Sequence, residues 1–398
     1  MSENRKGSPR IPRMMAAVLA LLLIATLLFA VRAVFHVQWS DTYVSAIVGA
    51  GLLGLAVAVF RWSRQRWTAG TVRQAHGGLE AGRGAGARTA LFRILLMTLS
   101  VALSLIALEW IARFAFWDIH SSADARTYLA LRALPVRSNS LGLRDREIPA
   151  KSAGKYRIVV IGDSITWGQG IEENERFTNL IERDLGPTYE VFNFGTRAHD
   201  MPEHVKELER ALRVSPDFVL LQLYLNDFET RRMMRPVARP LLPWPDIDRR
   251  MLASSVLYGL MSTQWHRYQE ASGQVESFPH YLERYLGDPD SPDARESFGK
   301  LREFLRRTAA AGVPTGVVIF PNPNMLGRGY PYAYLHNHMR EVCLEEHVDY
   351  VDLQSPFAKM GDPRGLWANR FDQHPNARAN RRAADELLSK FGPVWRRR

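Results

Sequence analysis

Two kinds of hydrophobic pattern divide the chain. Up to residue 116 the apolar residues come in long runs: 14–35 is interrupted only by Arg32, 43–60 carries no charge, and 94–116 has Glu109 near its end. Each run approaches the roughly 20 residues that a bilayer-spanning helix requires, so the pattern predicts three transmembrane helices at 14–35, 43–60 and 94–116. A cleaved signal peptide is the alternative for the first, but its apolar stretch exceeds the usual 7 to 15 residues or so and two more runs follow. Beyond residue 155 short apolar runs alternate with amphipathic stretches. Strands are expected at 158–161, 190–194, 218–223, 315–320 and 348–353, and helices at 173–185, 202–214, 294–311, 332–346 and 377–390. Strand and helix in alternation argue for an α/β domain on a parallel five-stranded sheet, over 156–398. The interval 229–293 breaks the rhythm with Pro236, Pro240, Pro243 and Pro245, followed by an apolar helical piece at 252–265. So long a crossover reads as a cap beside the cleft that shapes substrate choice. The piece could instead rest on a membrane surface or simply pack. Residues 117–155, with Pro135 and Pro149, read as an extended connector.

Charge sharpens the topology. Lys+Arg number 52 against 41 Asp+Glu in 398 residues, a formal net charge of +11. The basic residues gather around the apolar runs: Arg5, Lys6, Arg10 and Arg13 before the first, and seven arginines between Arg61 and Arg93. By the positive-inside rule the N-terminus (1–13) and the loop 61–93 are cytoplasmic. Everything after Trp117 is then on the extracytoplasmic side of the inner membrane. The charge excess follows from this topology and gives no reason to expect nucleic acid. With 46% hydrophobic and 23% charged residues the chain is foldable and disorder is not its main feature.

The candidate chemistry gathers at strand ends. Ile158-Val159-Val160-Ile161 runs into Gly162-Asp163-Ser164-Ile165-Thr166, which puts a hydroxyl at the carboxyl edge of the sheet, where open α/β sheets bind ligands. An ordinary helix cap by Asp163 or Ser164 is the plain alternative. A serine nucleophile needs a base, an orienter for that base and donors for the oxyanion. Phe371-Asp372-Gln373-His374-Pro375-Asn376 offers the imidazole with a carboxylate two residues before it. Gly195, after the second strand, allows a backbone N–H to approach a substrate oxygen. Asn226, after the third, carries an amide that can donate.

These blocks resemble the SGNH hydrolases, also called GDSL esterases and lipases: Gly-Asp-Ser-Ile-Thr, then Gly195, then Asn226-Asp227, then His374-Pro375-Asn376, in order across 156–390. The resemblance implies a flavodoxin-like three-layer α/β/α domain in which Ser164 attacks an ester. His374 is then the base, and the Ser164 N–H, the Gly195 N–H and the Asn226 side chain hold the oxyanion. Two positions depart from the family pattern. Tyr224 stands where a glycine is usual, and Asp-x-x-His is shortened to Asp372-Gln373-His374, which leaves a Ser-His dyad with a backbone carbonyl as the alternative to an Asp372 triad. Membrane-anchored relatives of this type imply an acylated carbohydrate or lipid-like ester as substrate. They also imply a choice between hydrolase and O-acyltransferase, the latter needing a membrane acyl-donor partner. A non-catalytic binding protein on the same fold is the remaining alternative.

Several features carry no chemistry. Gly49-Ala50-Gly51-Leu52-Leu53-Gly54 spells a dinucleotide fingerprint, but inside an apolar helix it reads as close helix packing. His199, His204, His336 and His338 lack companions at metal-ligand spacing. Neither a metal nor a cofactor is expected, and Cys343 reads as a packed residue.

Overall fold

The computed structural model describes residues 94, 97–98, 100–112, 120–121, 132–133 and 136–396, apart from 328, 370 and 371. The runs 14–35 and 43–60, the loop 61–93 and the glycine motif at 49–54 lie outside the described residues. Of the third run, residues 94, 97–98 and 100–112 are described and helical. Among the described residues no helix is long and apolar enough to cross a membrane. The chain divides into two compact units, Met1–Trp117 and Asp118–Arg398.

The second unit is built on five parallel strands: β1 (Tyr156–Gly162), β2 (Tyr189–Gly195), β3 (Phe218–Leu223), β4 (Thr315–Ile319) and β5 (Asp349–Asp352). Their order is β2-β1-β3-β4-β5. Ile158, Val159, Val160 and Ile161 of β1 and Val219, Leu220 and Leu221 of β3 are fully buried, as expected for strands covered on both faces. A four-residue turn of helix, α1 (Ser164–Trp167), follows β1, and then α2 (Phe177–Leu185); α3 (Met201–Leu212) follows β2. Chain order steps from β1 outward to β2 and then back across β1 to β3. Because such crossovers are right-handed, the helices divide between the two faces. Helix α2 packs with the C-terminal helix, while α3 packs with the long helix that precedes β4. The result is a three-layer α/β/α domain. The reversal of direction opens a crevice at the carboxyl ends of β1 and β3, the switch point where ligands bind in open sheets of this order.

The interval 229–293 holds three helices, α4 (Pro245–Ser254), α5 (Val256–Ala271) and α6 (Phe278–Leu286), before α7 (Pro292–Ala310). The single apolar helix expected at 252–265 is two helices. Ser255 is extended and caps the second by accepting from Tyr258 N at 3.0 Å. The insertion is closed at its base, where the Tyr281 hydroxyl donates to Glu229 Oε2 at 3.0 Å and Tyr281, Leu282 and Leu286 enter the core.

Helix α8 (Ala333–Glu345) precedes β5, and the short α9 (Gln354–Ala358) follows it. An antiparallel pair, β6 (Trp367–Asn369) and β7 (Asp372–Pro375), comes next. The alternation of longer apolar runs gave no sign of it, since neither strand exceeds four residues. The last helix, α10 (Ala377–Arg396), runs past residue 390 and through Pro393, because Phe391 and Trp395 each lie 5.6 Å from the ring of Phe218 and hold that turn to the sheet. The later part of the expected connector packs against the domain. Asn139, Leu143, Arg144 and Asp145 are buried in the domain.

Candidate active site

Ser164 is delivered by the sharp turn at the end of β1. Asp163 caps α1, its Oδ1 accepting from Ile165 N at 2.8 Å, which leaves the Ser164 hydroxyl uncommitted to the turn. Neighbouring strands hold this turn from both sides. Gln222 of β3 accepts through Oε1 from Asp163 N at 3.1 Å and from the Thr166 hydroxyl at 2.8 Å. Asn193 of β2 donates through Nδ2 to Thr166 O at 2.6 Å. The carbonyls a helix end leaves unpaired are taken up by Arg144, whose guanidinium donates to Trp167 O at 3.2 Å, Gly168 O at 2.6 Å and Ile171 O at 2.9 Å. Gly168, at φ 83°, closes the turn in the left-handed region. Arg144 had no role in the sequence reading. A buried arginine outside the strand-and-helix pattern is visible only once its carbonyl partners are in place.

The base arrives on the β6–β7 pair. His374 Nε2 lies 2.8 Å from Ser164 Oγ. On its other side Nδ1 bonds Asp372 Oδ1, and the same oxygen accepts the His374 backbone N–H at 3.0 Å. Gln169, which the sequence reading did not single out, reaches the second carboxylate oxygen from the loop after α1, Nε2 to Oδ2 at 3.4 Å. The two-residue spacing is therefore enough for Asp372 to meet the ring. In a strand, residues two apart point to the same face. Burial works to lower the His374 pKa, but the hydrogen bond and charge of Asp372, with Asp163 adding, hold it above the ordinary imidazole value. Burial works to raise Asp372, and its bonds to His374 outweigh that and hold it below the usual carboxylate range. The row is thus poised as Ser-OH, imidazole, carboxylate.

Asn226 follows β3 in a short 3-10 turn, across the switch point from Ser164. Its Oδ1 is buried without a hydrogen-bond partner, and its amide nitrogen has none either among the described residues. Gly195 sits at the end of β2, in register with Gly162 of β1. Its N–H donates to Asn193 Oδ1 at 2.9 Å and so is committed within the protein. What the position demands is space. A Cβ at residue 195 would fall 2.3 Å from Trp167 N and 2.6 Å from Thr166 C, both backbone atoms of the nucleophile turn. Gly195→Ala is therefore expected to cost more than the roughly 1–3 kcal/mol of ordinary overpacking, read as a lowered midpoint in urea; an unchanged midpoint would show that the turn gives way freely. Three residues on, Ala198 has φ 61° and its N–H has no partner among the described residues. Ser215 and His347 also lie in the left-handed region, and no local sequence signal announces any of the three.

Behind the turn lies a buried polar group. Burial, with the charge of Asp227 adding, pushes Asp163 up to about 7. Burial likewise raises Asp227 well above the carboxylate range and lowers His204 to about 4. His204 Nε2 stands 3.5 Å from Asp227 Oδ1. His336 pairs with Asp352 at 2.9 Å and lies 3.3 Å from the Tyr330 hydroxyl. Among the described residues no three His, Cys, Asp or Glu side chains are grouped to hold a metal. Burial pushes the Cys343 thiol up to about 12.

The GDSL-like Lipase/Acylhydrolase family model matches residues 160–382, which takes in Ser164, Asn226 and His374. No curated protein matches the chain. Among solved structures it is similar to the carbohydrate acetylesterase Est24 from Sinorhizobium meliloti, at 14% identity over 60% of this chain and 100% of that one, with a TM-score of 0.36. It is similar also to a catalytic mutant of Axe2, an acetylxylan esterase from Geobacillus stearothermophilus (14% identity, 63% of this chain and 100% of that one, TM-score 0.38). A third is the psychrotrophic esterase EstA from Pseudoalteromonas sp. (15% identity, 60% and 98%, TM-score 0.35).

Proposed function

Because the chain belongs to the GDSL-like lipase/acylhydrolase family, whose model spans more than half of it, we propose that it hydrolyses esters through an acyl-enzyme on Ser164. The observation that carries this reading is the unbroken row from Ser164 Oγ to His374 Nε2 to Asp372 Oδ1 at the switch point of the sheet. Ser164 Oγ attacks the ester carbonyl and its proton passes to His374 Nε2. The imidazolium, held in place by Asp372, then protonates the departing alkoxide. Water enters, gives a proton back to the imidazole and attacks the acyl group. The acid leaves and the Ser164 hydroxyl is restored. The tetrahedral oxyanion is met by the Ser164 N–H and the Asn226 amide. On the β2 side the N–H of Gly195 stays bonded to Asn193 Oδ1.

The catalytic unit is proposed to be held at a membrane by the helices before it. The described part of the third apolar run supports this. Ile94, Met97, Val101, Leu103, Ile106 and Trp110 are each more than half exposed on a helix, a surface that water would not favour.

The test uses the full chain in detergent with a fluorophosphonate probe and a chromogenic short-chain ester. One probe per chain and steady hydrolysis are expected. Asn226→Ala is expected to lower turnover by roughly 10² to 10³, the usual loss on removing one oxyanion donor, with unchanged thermal unfolding. A folded sample that neither labels nor hydrolyses would overturn the reading, and a near-normal Asn226→Ala would remove that residue from it.

A further inference from the structure

The insertion between β3 and α7 presents a surface with a chemistry of its own. Between residues 230 and 268 there are seven arginines against two acidic residues, Asp246 and Asp248. Asp248 is buried and bonded to the Tyr258 hydroxyl, and Asp246 is paired with Arg249. Arg232 and Arg235 are paired with acidic residues outside this stretch. Arg231, Arg239, Arg250 and Arg267 have no acidic partner within 4 Å among the described residues and face solvent. Large apolar side chains stand out among them. Met234 is 79% exposed, Val237 84% and Trp244 60%. Ile247 and Met251 are also exposed, four residues apart and so on one face of α4, directly after the exposed Trp244.

These segments form one tied piece. Trp265 Nε1 and Gln269 Nε2 each donate to Arg239 O at 3.0 Å, fixing the proline-rich segment to α5, and the Asp248–Tyr258 bond fixes α4 to α5. The exposed apolar residues therefore cannot turn inward without breaking the insertion.

We propose that this face docks on an anionic lipid surface, the apolar side chains entering the headgroup boundary while the four unpaired guanidiniums meet lipid phosphates. Interfacial binding calls for this pairing of bulky apolar and cationic groups on one surface. A polyanion such as nucleic acid or an acidic polysaccharide would engage the arginines and give no return for Met234, Val237 or Ile247. A second copy of the chain would bring two strongly positive faces together.

The test places a polarity-sensitive fluorophore on the full chain. Cys343 is buried, so a single engineered cysteine takes the label: Trp244→Cys or Met251→Cys, with Leu344→Cys on the exposed side of α8 as the control. In vesicles of phosphatidylcholine with added phosphatidylglycerol, labels at 244 and 251 are expected to shift to the blue and to be quenched several-fold more than the label at 344 by a nitroxide carried on the lipid. Raised salt should weaken this, as it screens surface charge. Combined reversal of Arg231, Arg239, Arg250 and Arg267 to Glu should return the label at 244 to water and leave hydrolysis of a water-soluble ester unchanged. Quenching at 244 no greater than at 344 would overturn the proposal. So would equal quenching without phosphatidylglycerol, or protection in detergent that grows with protein concentration, which would mean self-association.

Discussion

Replacing Ser164 with alanine is expected to lower ester turnover by roughly 10⁶, the loss seen when a nucleophile that works as a unit with its base is removed. The fold should not notice. The Ser164 hydroxyl bonds His374 and nothing in the scaffold, while the turn is held by the Asp163 cap, by Gln222 and by Arg144. Turnover of a chromogenic ester and the thermal midpoint, measured on the same sample, separate the two effects. Substantial hydrolysis by a pure, folded Ser164→Ala chain would mean that the nucleophile lies elsewhere.

The second large effect belongs to Asp372→Asn, for which turnover is expected to fall by roughly 10⁴ as an amide replaces the carboxylate that fixes the imidazole tautomer. The pH profile carries more information than the loss itself. His374 must be neutral to accept the Ser164 proton, so kcat/KM rises as pH passes through its pKa. Burial opposes the charged ring while Asp372 favours it, and the balance lies above the ordinary value of about 6.5. With the carboxylate gone, burial is left with only the weaker pull of Asp163 against it. The acidic limb of the residual activity is then expected to move to lower pH. An acidic limb that stays in place would mean that Asp372 does not set the ring's charge. Stability follows the same pair. The raised His374 contributes below its unfolded value and loses this as pH rises through the folded one; the depressed Asp372 contributes above its unfolded value and loses this as pH falls. Together they stabilise most between about 3.9 and 6.5.

The five strands of the parallel sheet were readable because buried parallel strands are short apolar runs and amphipathic helices separate them. Ser164, Asn226 and His374 stood out because each follows or flanks such a run. What stayed hidden depends on contacts far apart in sequence. Arg144 is a polar residue in a stretch with no period, and only its bonds to the carbonyls of Trp167, Gly168 and Ile171 give it a purpose. Gly195 was legible as a place of close approach, but what approaches is the backbone of Thr166 and Trp167. The break at Ser255 was hidden because apolar residues flank it on both sides, and the backbone there becomes extended in the middle of them. Asp372-Gln373-His374 left dyad and triad open until the strand pairing set both side chains on one face.

The serine and its imidazole are 210 residues apart in sequence, and the second is carried on a small strand pair close to the C-terminal helix. During synthesis, β1 and its turn emerge long before Asp372 and His374 do. A growing chain thus holds a serine whose base has not yet been made. The base is carried on the β6–β7 pair, which is made after every strand of the sheet. Truncation follows the same rule in reverse: a chain that ends between Leu353 and Asp372 lacks the base and still contains every strand of the sheet.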